Sequence, residues 1–131
     1  MQKACVVVPN WNGKETLPAC LDSLLAQTEP VHIIVVDNGS TDGCLELLVK
    51  DYRQVEVIAV GKNAGFAGGV NIGIRRALGH DARYIALFNN DAVADKDWLK
   101  HLVQAMNKHE QAGITTGKIL DSSKGRLDST G

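Results

Sequence analysis

The chain has 131 residues, 44% hydrophobic and 22% charged, which gives room for one domain with a sizeable core. A formal net charge of −1 and a pI near 6.4 leave no basic excess to neutralise a phosphate backbone, so nucleic-acid binding lacks electrostatic support. Cys5, Cys20 and Cys44 are odd in number and form no C-x-x-C pair, and no apolar run is a leader or a membrane span. The expected setting is reduced and cytoplasmic.

In chain order, apolar β-formers run over Ala4 to Val8, His32 to Val36, Val55 to Val60 and Tyr84 to Phe88, each followed by Gly, Asn or Asp. Such runs predict buried strands that end in loops. The first interval carries Leu17, Cys20, Leu21, Leu24 and Leu25 at helical spacing, and the second Leu45, Leu48, Val49 and Tyr52. The third carries Phe66, Val70, Ile74, Ala77 and Leu78, and Trp98, Leu99, Leu102, Val103 and Met106 follow the fourth strand. Asp42 and Asp95 stand where the second and fourth helices need an N-cap. Strand and helix alternate, which predicts right-handed crossovers and an α/β fold with a mostly parallel sheet covered on both faces. From about Lys118 the chain is polar and turn-rich, with no periodicity.

The chemistry-bearing residues all follow strands. Pro9-Asn10-Trp11-Asn12-Gly13 is a tight turn whose Trp11 either stacks on a nucleobase or folds back over the core. Asp37 ends an unbroken apolar strand and precedes Asn38-Gly39-Ser40-Thr41-Asp42. Its carboxylate can accept the imide N–H of uracil or thymine, which cytosine and adenine lack, or it can close an Asx-turn. The glycine-rich stretch from Gly61 to Asn71 leads into a helix as phosphate-binding loops do, with Lys62 beside it, yet it matches neither common phosphate fingerprint. Gly68 and Gly69 could equally serve close helix–sheet packing. Asn89-Asn90-Asp91 ends the fourth strand, where Asp91 could hold a Mg²⁺ or Mn²⁺ ion that also ligates a diphosphate, or simply form a turn. His32, His80, His101 and His109 show no ligand spacing and read as surface or packing residues.

Four segments, through Pro9-Asn10-Trp11-Asn12, Asp37-Asn38-Gly39-Ser40-Thr41-Asp42, Asn63 to Asn71 and Asn89-Asn90-Asp91, occur in the order and spacing of one family. The chain resembles the family 2 inverting glycosyltransferases of GT-A fold, a Rossmann-like three-layer sandwich, and most closely their rhamnosyltransferase-like branch. That resemblance implies transfer of a sugar, rhamnose in that branch, from a UDP- or dTDP-linked donor to a glycan or lipid-linked acceptor hydroxyl. It places Pro9, Asn10, Trp11, Asn12, Asp37, Asn38, Asn63, Gly65 and Asn90 at the donor nucleotide and Asp91 on the divalent metal, with Asn89 where the family's first aspartate stands. Family members are longer and carry the catalytic base further on. The chain is therefore expected to be the nucleotide-sugar-binding part, residues 1–131, truncated at its C-terminus, inactive alone and prone to self-association. The full-length protein is expected at the inner face of the membrane. The rivals are a non-catalytic nucleotide-binding module and a nucleotidyltransferase, the latter disfavoured because no glycine-rich basic loop follows the first strand.

Overall fold

The computed structural model describes residues 4–117, 119–121 and 126–129. Four parallel strands form one sheet, β1 (Ala4–Asn10), β2 (Val31–Asp37), β3 (Glu56–Ala59) and β4 (Tyr84–Leu87), in the order β3-β2-β1-β4. Helices α1 (Leu17–Leu25), α2 (Cys44–Asp51) and α3 (Gly65–Gly79) are the crossovers, and α4 (Trp98–Lys108) follows β4. The order of strands reverses at β1, so β4 lies on the side of β1 away from β2 and β3. An antiparallel pair, β5 (Ile119–Asp121) and β6 (Arg126–Ser129), occupies the stretch expected to be irregular, its run of apolar residues too short to reveal a period.

Two apolar clusters sandwich the sheet. On one face Val6, Val8, Ile33 and Val35 meet α1, α2 and α4 through Leu17, Leu21, Leu24, Leu48 and Leu99. On the other face Cys5, Val7, Ile34 and Val36 meet Ala77 of α3. Every residue of β1 is buried, as a central strand with both faces covered requires. Each large aliphatic side chain so enclosed contributes about 1.5–3 kcal/mol relative to leaving it in water.

The helices depart from expectation in instructive ways. In α1 the expected stripe holds, with Leu17, Cys20, Leu21 and Leu24 buried and Pro18 in the first turn, where its missing N–H costs nothing. In α2 the buried positions are Cys44 and Leu48, continued by Tyr52 just beyond, while Val49 is exposed. In α3 the inward stripe is Gly69, Val70, Gly73 and Ala77, whereas Phe66 and Leu78 face solvent. A Cβ on Gly73 would lie 2.2 Å from Val7 Cγ1, so α3 packs against β1 by lacking a side chain there.

Neither expected N-cap is one. Gly43 caps α2 with a φ of 93°, and Asp42, one residue earlier, accepts the Cys44 N–H at 3.1 Å. Asp97 is the first residue before α4, and Asp95 accepts the Asp97 N–H at 3.0 Å. The free Leu99 N–H of α4 is instead met by Gln27 Oε1 at 3.0 Å, from the loop after α1. A helix end satisfied from across the fold needs no local capping residue. Among the described residues no helix is long and apolar enough to cross a membrane.

Candidate donor-binding edge

A parallel sheet brings all its carboxyl ends to one edge, and a reversal of strand order opens a crevice there. In this chain β1 and β4 flank that crevice. A chain of polar contacts crosses it: Asn90 Nδ2 donates to Asn10 Oδ1 at 2.9 Å, partly buried, and Asn10 Nδ2 donates to Asp37 Oδ1 at 3.0 Å, fully buried. The ends of β4, β1 and β2 are thus tied by side chains as well as by the backbone ladder. β2, which ends in Asp37, and β4, whose following loop carries Asp91, lie two strands apart, roughly 10 Å across the sheet.

Asp37 is fully buried, and a carboxylate there must be hydrogen-bonded to remain charged. Besides Asn10, it accepts from Ser40 Oγ at 2.7 Å through Oδ1 and from the Ser40 N–H at 3.0 Å through Oδ2. Asp37 therefore closes a turn onto Ser40, three residues on rather than the two of an Asx-turn, and Oδ2, with one donor, is the oxygen with acceptor capacity to spare. Ser40 also receives the Asn12 N–H at 2.9 Å, and Asn12 Oδ1 accepts the Thr41 N–H at 2.7 Å. Asn12 accordingly fastens the β1–α1 loop to the β2–α2 loop. Asp42 strengthens the same join through the Lys14 N–H at 3.0 Å, and hydrogen bonding, first from the Cys44 side chain, holds its carboxyl below the ordinary range.

The remaining expected residues divide between floor and rim. Pro9 is a buried strand residue paired with Val36. Trp11 is 55% exposed, which removes the alternative of a ring folded over the core. Asn38 is buried and donates to the Gly65 carbonyl at 3.4 Å, and its Oδ1 has no partner among the described residues, a costly state that a ligand hydroxyl would relieve. A Cβ on Gly69 would lie 2.7 Å from Asn38 Nδ2, so Gly69 does permit close packing, as one reading of the glycines held. Asn63 Oδ1 accepts the Gly65 N–H at 2.8 Å, and Gly65, at a φ of 75°, opens α3 in a conformation that favours glycine.

Asp91 is exposed and makes no hydrogen bond among the described residues. Close to it, the Cys20 thiol donates to the Asn89 carbonyl at 3.5 Å, and burial, then the Asp91 charge, push that thiol up to about 12. Cys20 is consequently an inert tie between α1 and the loop after β4. A lone carboxylate with room around it suits a hard cation that takes its other oxygens from phosphate and water.

Two residues of this edge were not singled out from the sequence. Ser40 stands out by no motif of its own, although Asp followed three residues later by Ser is a turn pattern. Gly13, counted as a turn residue, is buried, and a Cβ there would stand 2.4 Å from both Asn10 Oδ1 and Asn90 Nδ2. Only glycine fits above that pair.

Known proteins share this fold. The chain is 35% identical over 124 residues to a poly(ribitol-phosphate) beta-glucosyltransferase of Bacillus spizizenii, covering 89% of this chain and 19% of that protein. Its fold superposes on S. aureus TarS 1-349 in complex with UDP with a TM-score of 0.72 at 21% identity, over 90% of this chain and 41% of that one. It also superposes on the mannosyltransferase PcManGT of Pyrobaculum calidifontis, in complex with GDP-Man and Mn²⁺, with a TM-score of 0.67 at 19% identity, over 94% and 37%. These likenesses establish the GT-A, Rossmann-like fold, and the chain spans less than half the length of each of the three. The glycosyl transferase family 2 model matches residues 5–129, nearly all of the sheet and the edge just described, and the chain belongs to that family.

Proposed function

We propose that this chain is the donor-binding part of a glycosyltransferase that moves a sugar from a UDP- or dTDP-linked donor to an acceptor hydroxyl with inversion. The observation that carries the reading is the Asp37–Asn10–Asn90 chain, which aligns three strand ends and leaves Trp11 and Asp91 exposed on one edge. In this reading the base stacks on Trp11 and its imide N–H reaches Asp37 Oδ2. The unpartnered Asn38 Oδ1 accepts a ribose hydroxyl, and the diphosphate lies near the amino end of α3 at Asn63 and Gly65. Asp91 holds a divalent ion, which when bound neutralises charge on the departing nucleoside diphosphate. TarS, seen with UDP, supports the pyrimidine donor, and PcManGT, seen with Mn²⁺, supports the divalent ion.

In such a displacement the acceptor oxygen bonds to the anomeric carbon as the bond to the diphosphate breaks, and the acceptor proton passes to a base. What these residues contribute is recognition and positioning of the donor. The test is calorimetric titration with UDP, dTDP, GDP and ADP, with and without Mn²⁺, on the wild-type chain, Asp37→Ala and Asp91→Ala. The expected result is a preference for UDP and dTDP that vanishes with the first change and a Mn²⁺ dependence that vanishes with the second. Equal affinity for all four nucleotides in the wild type would overturn the base assignment. A rhamnosyl donor, the finer expectation, is tested by whether dTDP-rhamnose binds more tightly than UDP-glucose.

A further inference from the structure

The opposite edge of the sheet holds a cluster that the donor site does not use. His32 near the start of β2, Glu56 at the start of β3 and His80 just past α3 converge, although 24 residues separate each histidine from the glutamate. Glu56 Oε1 lies 2.7 Å from His32 Nε2 and 2.8 Å from His80 Nε2, and the two rings meet edge-on at 4.9 Å. One ligand atom from each of the three lies within 4.8 Å of the others, the one such group of His, Cys, Asp or Glu among the described residues. These histidines are thus neither scattered nor packing residues. They stand about 17 Å along β2 from Asp37, five residues at strand rise.

We propose that His32, Glu56 and His80 form a binding site for one zinc-like divalent ion, separate from the donor edge. Two imidazoles and one carboxylate form a borderline donor set, which selects Zn²⁺ over the hard Mg²⁺. A tetrahedral ion with bonds near 2.0–2.1 Å needs ligand atoms about 3.3 Å apart. The present Nε2 to Oε1 separations of 2.7 and 2.8 Å have only to open slightly, by side-chain rotation. The three side chains are each about four-fifths buried, which leaves the fourth position toward solvent. His80 is also the C-cap of the fifteen-residue α3, whose partly negative end favours a cation. Burial opposes ionisation of Glu56, yet hydrogen bonds from His32, Arg76 and His80 together bring its carboxyl down to about 2, so a carboxylate is present at neutral pH.

On binding, each Nε2 gives up its hydrogen bond to Glu56 and turns a lone pair to the ion, the proton moving to Nδ1 or to solvent. Arg76, which pairs with Glu56 Oε2 and is 53% exposed, opposes a cation there. That opposition gives the test its sharpest arm. Zn²⁺ affinity is measured by competition with a chromophoric chelator for the wild type, H80A, E56Q, R76Q and D91N. The expected result is one saturable site, weakened more than about tenfold in H80A and E56Q and unchanged in D91N. R76Q should tighten it about fivefold by removing a neighbouring positive charge. Circular dichroism establishes that each variant is folded. Should H80A or E56Q fail to fold, ¹⁵N shifts of the imidazole rings in the wild type decide, with His32 and His80 moving on Zn²⁺ addition and His101 and His109 staying still. Zn²⁺ affinity equal in all variants, or shifts of His101 and His109 alone, would overturn the proposal.

Discussion

Replacing Gly73 by alanine sets two effects of opposite sign against each other. In the middle of a fifteen-residue helix, glycine costs about 1 kcal/mol relative to alanine, so on propensity alone the variant gains stability. The new methyl, however, would stand 2.2 Å from Val7 Cγ1 and 3.1 Å from Val36 Cγ2, against an optimal carbon–carbon separation of about 3.5–4.0 Å. Val7 and Val36 are fully buried in the two central strands, and β-branched side chains have little rotameric freedom to yield. Overpacking of this kind costs about 1–3 kcal/mol, and an overlap of more than an ångström belongs at the upper end. We expect G73A to lose about 2 kcal/mol net. V7A alone deletes two buried methyl groups and should also lose about 2 kcal/mol. Combined, the new methyl enters the space vacated by Val7, so the double variant should lose about 2 kcal/mol rather than the additive 4. Urea denaturation followed by circular dichroism measures all three, with G79A as control because a Cβ at Gly79 would meet no other element of the described residues within 4 Å. A stabilised G73A, or an additive double variant, would refute the close approach of α3 to β1.

Three further outcomes follow from the donor edge and the α1–α2 contact. N10A should lose about 2–4 kcal/mol by denaturation, from a hydrogen bond to a charged group at 3.0 Å and a neutral one at 2.9 Å, and should weaken UDP binding with it. W11A should weaken UDP binding by about 1–3 kcal/mol in calorimetry while leaving stability within about 0.5 kcal/mol, because the ring is more than half exposed. Tyr52, buried and donating to Asp22 Oδ1 at 2.9 Å, has its hydroxyl pushed from 10.0 up to about 12 by burial and then by Asp22. Because the folded state holds this proton more tightly, the contribution is complete below pH 10 and lost as pH rises toward 12, amounting to at most about 3 kcal/mol. Chemical denaturation at pH 9, 10, 11 and 12 should therefore show a shallower alkaline decline in Y52F than in the wild type.

What the sequence disclosed and what it hid divide along the range of the interactions. The strands were legible because a central parallel strand must be apolar on both faces, and β1 is apolar from Ala4 to Pro9. From that alone Asp37 and Asp91 had to share an edge, since every carboxyl end of a parallel sheet points the same way. The inward stripe of α3 was hidden because it is made of small residues. A search for large apolar side chains selects Phe66 and Leu78, which the structure leaves 62% and 58% exposed, and passes over Gly69 and Gly73. The cap of α4 was hidden because Gln27 lies 72 residues from the Leu99 N–H it accepts. The state of Asp37 belongs to both classes. Its place at a strand end is local, but its donors are Ser40, three residues on, and Asn10, a neighbour only through β1–β2 pairing. A carboxylate that its own segment offers to a ligand or to a turn thus has Oδ1 engaged once the sheet forms, while Oδ2 keeps acceptor capacity. The same pairing that uses up Oδ1 holds Asn10 where Asn90 can reach it, so burying Asp37 is what brings the β4 loop and its exposed Asp91 into line.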